Sequence, residues 1–269
     1  MIRIRDFHKR FHAGSINEVY PLRGINLHVR PGDFVTVIGT NGSGKSTLLN
    51  AIAGAFPPDS GTIEIDGEDV SGKKDFQRAK HIARVFQNPF VGTAPEMSIA
   101  ENLHMAHLRG KKKLLRLGLG LEQRERLREE VRQLEMQMEN RLENMMGTLS
   151  GGQRQAITLL MAVVAGPKVL LLDEHTAALD PKSAAQVIAL TKRFVQNGGF
   201  TTLMVTHSMQ QALELGNRTI MMHQGQIIED ISSEEKRRCT VEDLLDKFSE
   251  LRKKERLTAE MLERLRRSY

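Results

Sequence analysis

The pattern of apolar and polar residues predicts a chain in which strands alternate with helices. Uninterrupted apolar runs at residues 34–38, 169–172 and 201–205 are typical of strands buried on both faces of a parallel sheet. A helix is predicted after the first run, and another, over residues 181–196, lies between the other two. This order of elements predicts an α/β fold with a mostly parallel sheet.

Three regions depart from this pattern. Residues 2–5 and 25–29 alternate with a period of two, which predicts an N-terminal antiparallel β subdomain with a connecting loop that holds Phe11 and Tyr20. From residue 88 to about 147 the composition becomes helical and heavily charged, which indicates an inserted α-helical subdomain. From about Thr240, apolar residues recur at helical spacing and predict an amphipathic helix packed against its own domain or a partner.

Composition narrows the class of protein. Hydrophobic residues make up 40% of the 269 residues and charged residues 27%, as in an ordinary globular protein. No apolar run reaches the roughly 20 residues of a membrane span. The single cysteine, Cys239, excludes an internal disulfide and favours a reducing cytosol. The net charge of +6 fits either a basic solvated surface or attraction to anionic lipid or nucleic acid, and charge alone does not separate these.

The stretch Gly39–Thr47 carries the clearest chemistry. It matches G-x-x-x-x-G-K-[ST] and lies between a predicted strand and a predicted helix. Its glycines let backbone N–H groups face phosphate oxygens, and the helix start adds its positive dipole end. Lys45 is expected to pair with the β- and γ-phosphates, and the Ser46 hydroxyl to bind Mg²⁺. The sequence therefore predicts a nucleoside triphosphate bound by Gly39, Thr40, Asn41, Gly42, Ser43, Gly44, Lys45, Ser46 and Thr47.

Polar residues follow two of the predicted strands. Asp173 and Glu174 come after the 169–172 run, at the sheet edge where α/β folds bind ligands. Asp173 is expected to help hold the metal, and Glu174 to orient or deprotonate a water that attacks the γ-phosphate. His207 follows the next strand at the same edge and is expected to join them. The alternative is an acidic strand end and a structural histidine without a catalytic role.

A second glycine-rich helix start lies at Leu149–Gln155. Two glycines and a serine before a long apolar helix predict an anion cradle that has no lysine. Two such helix starts in one chain indicate a head-to-tail dimer, in which each nucleotide lies between Lys45 of one copy and Ser150 of the other. The residues expected at the nucleotide from this segment are Ser150, Gly151, Gly152 and Gln153.

With these motifs in place, the chain resembles the ATP-binding subunit of an ABC transporter over about residues 1–232. The family's Walker A motif corresponds to Gly39–Thr47, its signature to Leu149–Gln155, its Walker B strand to Val169–Glu174 and its aspartate loop to residues 178–181. The resemblance implies a P-loop NTPase core that hydrolyses ATP with Mg²⁺ as cofactor.

The resemblance also implies roles for single residues. Gln87 is expected to contact the metal and the attacking water, and His207 to be the family's switch histidine. Phe11 is the best match for the aromatic residue that stacks on adenine, with Tyr20 as a substitute. His175 is a departure, because many relatives carry proline after the catalytic glutamate.

Domains and partners follow from the same resemblance. It implies an ATPase domain over residues 1–232, with a helical subdomain inserted at about 88–165 and a helical extension at 233–269. The implied partners are a second copy, a membrane permease and an extracytoplasmic solute-binding protein, with no nucleic acid. The implied location is the cytoplasmic face of the bacterial inner membrane. A groove for a permease helix is expected between Gln87 and the insert, with a wall formed by Phe90, Met97 and Ile99.

The segment at residues 87–102 is similar to that of bacterial importers, and residues 173–178 resemble a branch linked to uptake of amino acids, including aromatic ones.

Two alternatives remain open. A soluble ABC-type ATPase acting on nucleic acid or protein complexes usually has two cassettes or a long insert, whereas this chain has one cassette and a short, cysteine-free insert. A P-loop kinase leaves the Leu149–Gln155 segment unexplained.

Overall fold

The computed structural model describes residues 1–111 and 119–250. The strands, in chain order, are β1 (Ile2–Phe11), β2 (Val19–Val29), β3 (Phe34–Gly39), β4 (Ser60–Ile65), β5 (Glu68–Asp69), β6 (Ile82–Val85), β7 (Val169–Asp173), β8 (Thr201–Val205), β9 (Arg218–His223) and β10 (Gln226–Ile231). The helices are α1 (Lys45–Ala53), α2 (Asp75–Arg78), α3 (Ile99–His107), α4 (Leu121–Arg132), α5 (Gly151–Val163), α6 (Pro181–Gly198), α7 (Met209–Glu214) and α8 (Ser233–Lys236). Residues 241–250 are also helical. Residues 251–269, which belong to the predicted extension, lie outside the described part.

Four of the described strands form an antiparallel sheet with the order β2-β1-β4-β5. The predicted alternation places Ile2 opposite Val29, and both side chains are fully buried. The two strands are longer than predicted, so Phe11 and Tyr20, expected in the connecting loop, lie in β1 and β2 instead. Cross-strand pairing of Phe11 with Val19 accounts for the difference, because aromatic and β-branched residues pair favourably across strands.

Six of the described strands form the second sheet, in the order β10-β9-β3-β8-β7-β6. All neighbours are parallel except β10, which forms a hairpin by pairing antiparallel with β9. Every residue of β7 and β8 is buried, as the sequence predicts for inner strands of a parallel sheet. The carboxyl ends of β3, β7 and β8 therefore meet at one edge, which is where the predicted chemical motifs begin.

The second sheet is covered on both faces. Leu171 packs with α1 and the antiparallel sheet, whereas Leu170 and Leu172 pack with the helices on the opposite face. Those helices are α3, α4, α5 and α6, and the first two lie in the stretch predicted to be a helical insert. The predicted α/β fold, with its antiparallel N-terminal sheet and mostly parallel core, is confirmed. No helix in the described ranges is both long and apolar enough to cross a membrane.

The C-terminal segment packs against the core of its own chain. The helix at residues 241–250 begins with a capping box, in which the Thr240 N–H donates to the Asp243 carboxylate at 2.7 Å. The Asp243 N–H donates back to the Thr240 hydroxyl at 3.2 Å. Leu244 and Phe248 are buried in a small cluster with Ala212 of α7. The described part of this predicted amphipathic helix therefore covers α7.

Candidate nucleotide and catalytic site

The phosphate loop lies between β3 and α1 and encloses a buried charge. Lys45 is 5% exposed, and its Nζ donates to the carbonyl oxygens of Gly39 and Thr40 at 3.0 Å each. Burial lowers the pKa of Lys45, while the carboxylates of Glu174 and Asp173 act in the opposite direction. The structure therefore holds a cation at the centre of the loop, where a bound phosphate would supply its counter-ion.

Glycine is required at two places in this loop. Gly44, the residue before α1, has a φ of 98°, and a Cβ there would lie 2.3 Å from the Pro21 carbonyl oxygen. A Cβ on Gly39 would lie 2.2 Å from the Met222 carbonyl oxygen. No side chain in the described part of the chain caps the first turn of α1, and the buried Ser43 hydroxyl lacks a hydrogen-bond partner there. This helix start is thus open to an anion.

A hydroxyl and a carboxylate meet beside the loop. The Ser46 hydroxyl donates to Asp173 Oδ1 at 2.9 Å, and Arg84 Nη2 donates to Asp173 Oδ2 at 2.8 Å. Arg84 is a site residue that the sequence analysis missed, because one arginine in a short strand has no spacing motif. The described residues contain no group of three His, Cys, Asp or Glu that could hold a metal. Ser46 and Asp173 offer two oxygen ligands of the kind that Mg²⁺ prefers.

Glu174 and His207 contact each other at the ends of β7 and β8. The distance from Glu174 Oε2 to His207 Nε2 is 2.6 Å, and the Glu174 side chain is 10% exposed. Glu174 has a φ of 46°, a conformation that costs a residue with a side chain about 1–3 kcal/mol. Its backbone N–H donates to the Val205 carbonyl at 3.0 Å, which ties the strained residue to β8. The sheet edge therefore brings together the two residues that the sequence placed there.

Gln87 lies at the rim of the same region. It is exposed, follows β6 and lines a cleft of about 590 Å³ together with Asp173 and Gly151. The carbonyl of the preceding residue, Phe86, accepts a hydrogen bond from Gln155 Nε2 at 3.1 Å. The segment that carries Gln87 is thus tied to α5, the helix that follows the signature.

The signature segment caps its own helix. The Ser150 hydroxyl accepts from the Gln153 N–H at 3.3 Å, and the Gln153 side chain accepts from the Ser150 N–H at 3.2 Å. Gly152 makes a close approach, because a Cβ there would lie 2.5 Å from the Ser183 hydroxyl at the start of α6. Ser150 and Gly151 are exposed. The segment therefore forms a capped helix N-terminus that is exposed at the surface of the chain.

The two candidate aromatic residues differ in their surroundings. The guanidinium groups of Arg10 and Arg23 lie 4.4 and 5.1 Å from the Tyr20 ring centroid, and the Tyr20 hydroxyl bonds to His8. Phe11 contacts Phe56 edge to face, with 5.1 Å between ring centroids, and Lys9 Nζ lies 5.6 Å from the Phe11 centroid. Arginines already cover the Tyr20 ring, so Phe11 remains the better candidate for stacking on a base.

His175 is a buried structural residue. Its Nε2 lies 2.9 Å from the Thr191 hydroxyl, which itself donates to the Val187 carbonyl at 2.8 Å. The hydroxyl proton is therefore used, so Nε2 must carry the histidine proton and donate. Burial lowers the pKa of His175 to about 4, so the ring is neutral near pH 7. This bond fixes the loop after Glu174 to α6 without the proline that many relatives have.

The residues expected to form one wall of a docking groove lie apart. Met97 lines a cleft of about 520 Å³ with His104, Met105 and other residues of the helical insert. Phe90, which is 59% exposed, lines the separate cleft that contains Gln87. Ile99 is fully buried in the core, so its expected place in the wall was wrong. As the first residue of α3, it packs into the core cluster together with Ala100 and Leu103.

Comparisons with known proteins agree with this geometry. A family model described as "ABC transporter" matches residues 22–177. The chain is 41% identical over 254 residues to a "Tyrosine transport ATP-binding protein" of Clostridioides difficile (strain R20291), which covers 92% of this chain and 98% of that one. It is 32% identical to the "Energy-coupling factor transporter ATP-binding protein EcfA1" of Lactiplantibacillus plantarum, over 78% of this chain and 71% of that one. The dimeric post-hydrolysis structure of the ATP-binding cassette MJ0796 with ADP and Pi aligns with a TM-score of 0.74 and 29% identity, covering 87% of this chain and 99% of the other.

Proposed function

Because the chain belongs to the ABC transporter family, as an ATP-binding subunit whose hydrolysis of ATP to ADP and phosphate is coupled to transport, we propose that Glu174 and His207 form its catalytic pair. The observation that carries this proposal is their 2.6 Å contact at the sheet edge, next to the Ser46–Asp173 hydrogen bond. These four side chains come from the start of α1, which follows β3, and from the carboxyl ends of β7 and β8, and they meet because β3, β8 and β7 are neighbours.

The proposed division of labour follows from the contacts. Lys45 and the open start of α1 bind the phosphates, and Phe11 supports the adenine ring. Glu174 contacts His207 through Oε2, and its other oxygen, Oε1, is the one proposed to orient and deprotonate the attacking water. His207 holds the other carboxylate oxygen, so the carboxylate cannot rotate away from the water.

The metal site fits Mg²⁺. Ser46 would contribute its hydroxyl, Asp173 would hold the metal directly or through a water, and Gln87 would approach from the shared cleft. When bound, Mg²⁺ neutralises charge on the β- and γ-phosphates. Arg84 orients the Asp173 carboxylate through its 2.8 Å bond to Oδ2.

We also propose a head-to-tail dimer of this chain. Ser150 and Gly151 are exposed and already capped within their own helix, so the signature is suited to complete a site on another copy. Each nucleotide would lie between the phosphate loop of one copy and the signature of the other, with Ser150, Gly151, Gly152 and Gln153 facing the phosphates.

The proposed cargo and location rest on relatives. We propose that the dimer docks on a permease at the cytoplasmic face of the inner membrane and powers import of a small solute, specifically an aromatic amino acid delivered by a solute-binding protein. The 41% identity to a tyrosine transport ATP-binding protein along almost the whole chain supports this choice. The cleft around Met97 is the proposed docking surface for a permease helix.

The catalytic proposal is tested with Glu174→Gln, which keeps the shape of the side chain and removes the base. We expect ATP binding to persist and turnover to fall by roughly a hundredfold or more, the scale of general-base catalysis. ATP with Mg²⁺ should then trap the dimer, which gel filtration would show. Glu242→Gln, on the exposed face of the C-terminal helix, is the control. Wild-type turnover in Glu174→Gln would remove Glu174 from the mechanism.

The docking proposal is tested with Met97→Glu. This change should abolish co-purification of an integral membrane protein and uptake of labelled tyrosine by membrane vesicles, while the ATPase activity of the isolated protein stays near wild type. Phe76→Glu, at a 71% exposed apolar residue of α2 outside the Met97 cleft, is the control. If wild type brings down nucleic acid and no membrane protein, the proposed permease partner is wrong.

A further inference from the structure

A buried lysine joins the C-terminal segment to α7. Lys236, the last residue of α8, is 7% exposed, and its Nζ donates to the Leu215 carbonyl oxygen, directly after α7. Burying an ammonium group is costly unless it is well bonded, and here burial lowers the pKa of Lys236 to about 8. We therefore expect this contact to contribute to the stability of the fold or to the geometry of the site.

Helix α7 leads directly to the catalytic edge. It starts two residues after His207, with Ser208 as its N-terminal cap. The Thr206 hydroxyl donates to Gln211 Oε1 at 2.8 Å, and the Gln211 N–H donates to the Ser208 hydroxyl at 3.2 Å. The first turn of α7 is thus tied to the residues on both sides of His207, so a shift of α7 is transmitted to the histidine.

The C-terminal segment is one of the elements that hold α7, beside β3 and β9, whose Thr36 and Thr219 hydroxyls donate to the Ala212 carbonyl. Helix α7 has only six residues, and a helix this short is not stable without tertiary contacts. Ala212 at its centre is fully buried in one cluster with Leu244 and Phe248. Lys236 bonds the carbonyl at its end, where a cation also interacts favourably with the helix dipole.

We propose that Lys236 is a positioning residue for ATP hydrolysis: its bond to the Leu215 carbonyl holds α7, and through α7 it holds His207 against Glu174. The inference rests on the proposed role of His207 as partner of Glu174. Lys236 itself touches neither the nucleotide site nor the carboxylates in this structure, so its effect passes entirely through α7.

The test compares Lys236→Met with Lys247→Met. The first change keeps the apolar stem and removes the donor, whereas Lys247 lies on the same C-terminal segment in a surface pair with Glu229 at 3.1 Å. We expect kcat of Lys236→Met to fall about tenfold, the size expected for one lost hydrogen bond to a charged group. The KM for ATP should stay within twofold, and Lys247→Met should match wild type. Lys236→Arg, which keeps a charged donor, should recover part of the lost kcat.

A double-mutant cycle with His207→Ala separates positioning from general destabilisation. Because Lys236 acts through His207, adding Lys236→Met to His207→Ala should leave the residual turnover unchanged. If it lowers that residual turnover by the same factor as in wild type, the effect is structural and the inference is overturned. Unchanged kcat in Lys236→Met overturns it as well. If Lys236→Met does not fold, the same cycle is run with Lys236→Arg.

The two proposals can fail separately. Wild-type turnover in His207→Ala would remove His207 from the catalytic pair and with it the basis of this inference. Slow turnover in His207→Ala with wild-type turnover in Lys236→Met would overturn only the positioning role, and the proposed function would stand.

Discussion

The two glycine-rich helix starts have similar sequences but opposite structures. In the phosphate loop, Gly42 and Gly44 have φ values of 77° and 98°, and a buried lysine bonds to backbone carbonyls of the loop. In the signature, neither glycine has a positive φ, and Ser150 and Gln153 satisfy each other. The first segment encloses a candidate anion site within one chain, whereas the second forms a fully capped, exposed surface.

Glycine therefore has a different role in each of these two segments. In the phosphate loop it permits a backbone conformation that other residues adopt only at a cost, and that conformation turns N–H groups toward the phosphates. In the signature it permits close packing, since a Cβ at Gly152 would overlap Ser183. The first loop is suited to an anion from solution, and the second is suited to the surface of the proposed second copy.

The largest expected effect concerns the buried charge of the first loop. Lys45→Ala should lower ATP affinity by roughly a hundredfold, because a charge-assisted contact to phosphate is worth about 1.5–3 kcal/mol. Lys192→Ala, at an exposed position on α6, should bind ATP as wild type does. Equilibrium dialysis with labelled ATP measures both. An affinity for Lys45→Ala within twofold of wild type would show that the loop does not use its lysine for the phosphates.

The second prediction concerns the glycines themselves. Gly44→Ala should destabilise the fold by about 2 kcal/mol, because it combines a left-handed φ with a Cβ 2.3 Å from the Pro21 carbonyl oxygen. Gly151→Ala should change stability by less than about 0.5 kcal/mol, since its Cβ would meet only the flexible end of Leu179, at 3.5 Å. Urea unfolding without nucleotide measures both. Equal losses would mean that the two loops do not use glycine differently.

The third prediction separates the base from the phosphates. Phe11→Ala should weaken ATP binding several-fold, since stacking is worth about 1 kcal/mol, and should leave ATP and GTP poorly discriminated in both proteins. Tyr20→Ala is the matched variant and should bind ATP as wild type does, because arginines already cover that ring. A loss confined to Tyr20→Ala would transfer the stacking role to Tyr20.

The sequence predicted those parts of the molecule whose signals are local. An apolar run such as residues 169–172 is typical of an inner strand of a parallel sheet, wherever in the sheet that strand lies. The spacing of glycine, lysine and serine in Gly39–Thr47 is typical of a phosphate-binding loop and of few other structures. The order of the strands along the sheet carries no such signal, yet it is what brings Glu174 beside His207. The sequence still predicts that the two residues lie together, because both follow strands expected to end at one edge, and the family resemblance adds the role of His207.

Other residues could not be found in this way because their partners are distant or are backbone atoms. Arg84 bonds to Asp173, which lies 89 residues later in the chain, and neither residue marks the other in the sequence. Lys236 bonds to a carbonyl group, which every residue has. Ile99 was misplaced because residues at a helix start can face either way, and only packing against the rest of the insert decides.

The smallest effect on the isolated chain, and the sharpest test of the comparison, is expected for Ser150→Arg. The change removes a helix cap, which costs about 1 kcal/mol of stability, and places a large cation on an exposed surface. Because we propose that the signature completes the phosphate loop of another copy, ATP affinity of the monomer should stay within twofold of wild type. The dimer formed with ATP in the Glu174→Gln background should be lost.

Ser98→Arg, at the cap of α3 with the same kind of capping box, should lose similar stability and keep the dimer. Calorimetry and gel filtration measure the two effects. Loss of ATP binding in monomeric Ser150→Arg would mean that both glycine-rich helix starts of one chain contact the same nucleotide, and the head-to-tail arrangement would then be wrong.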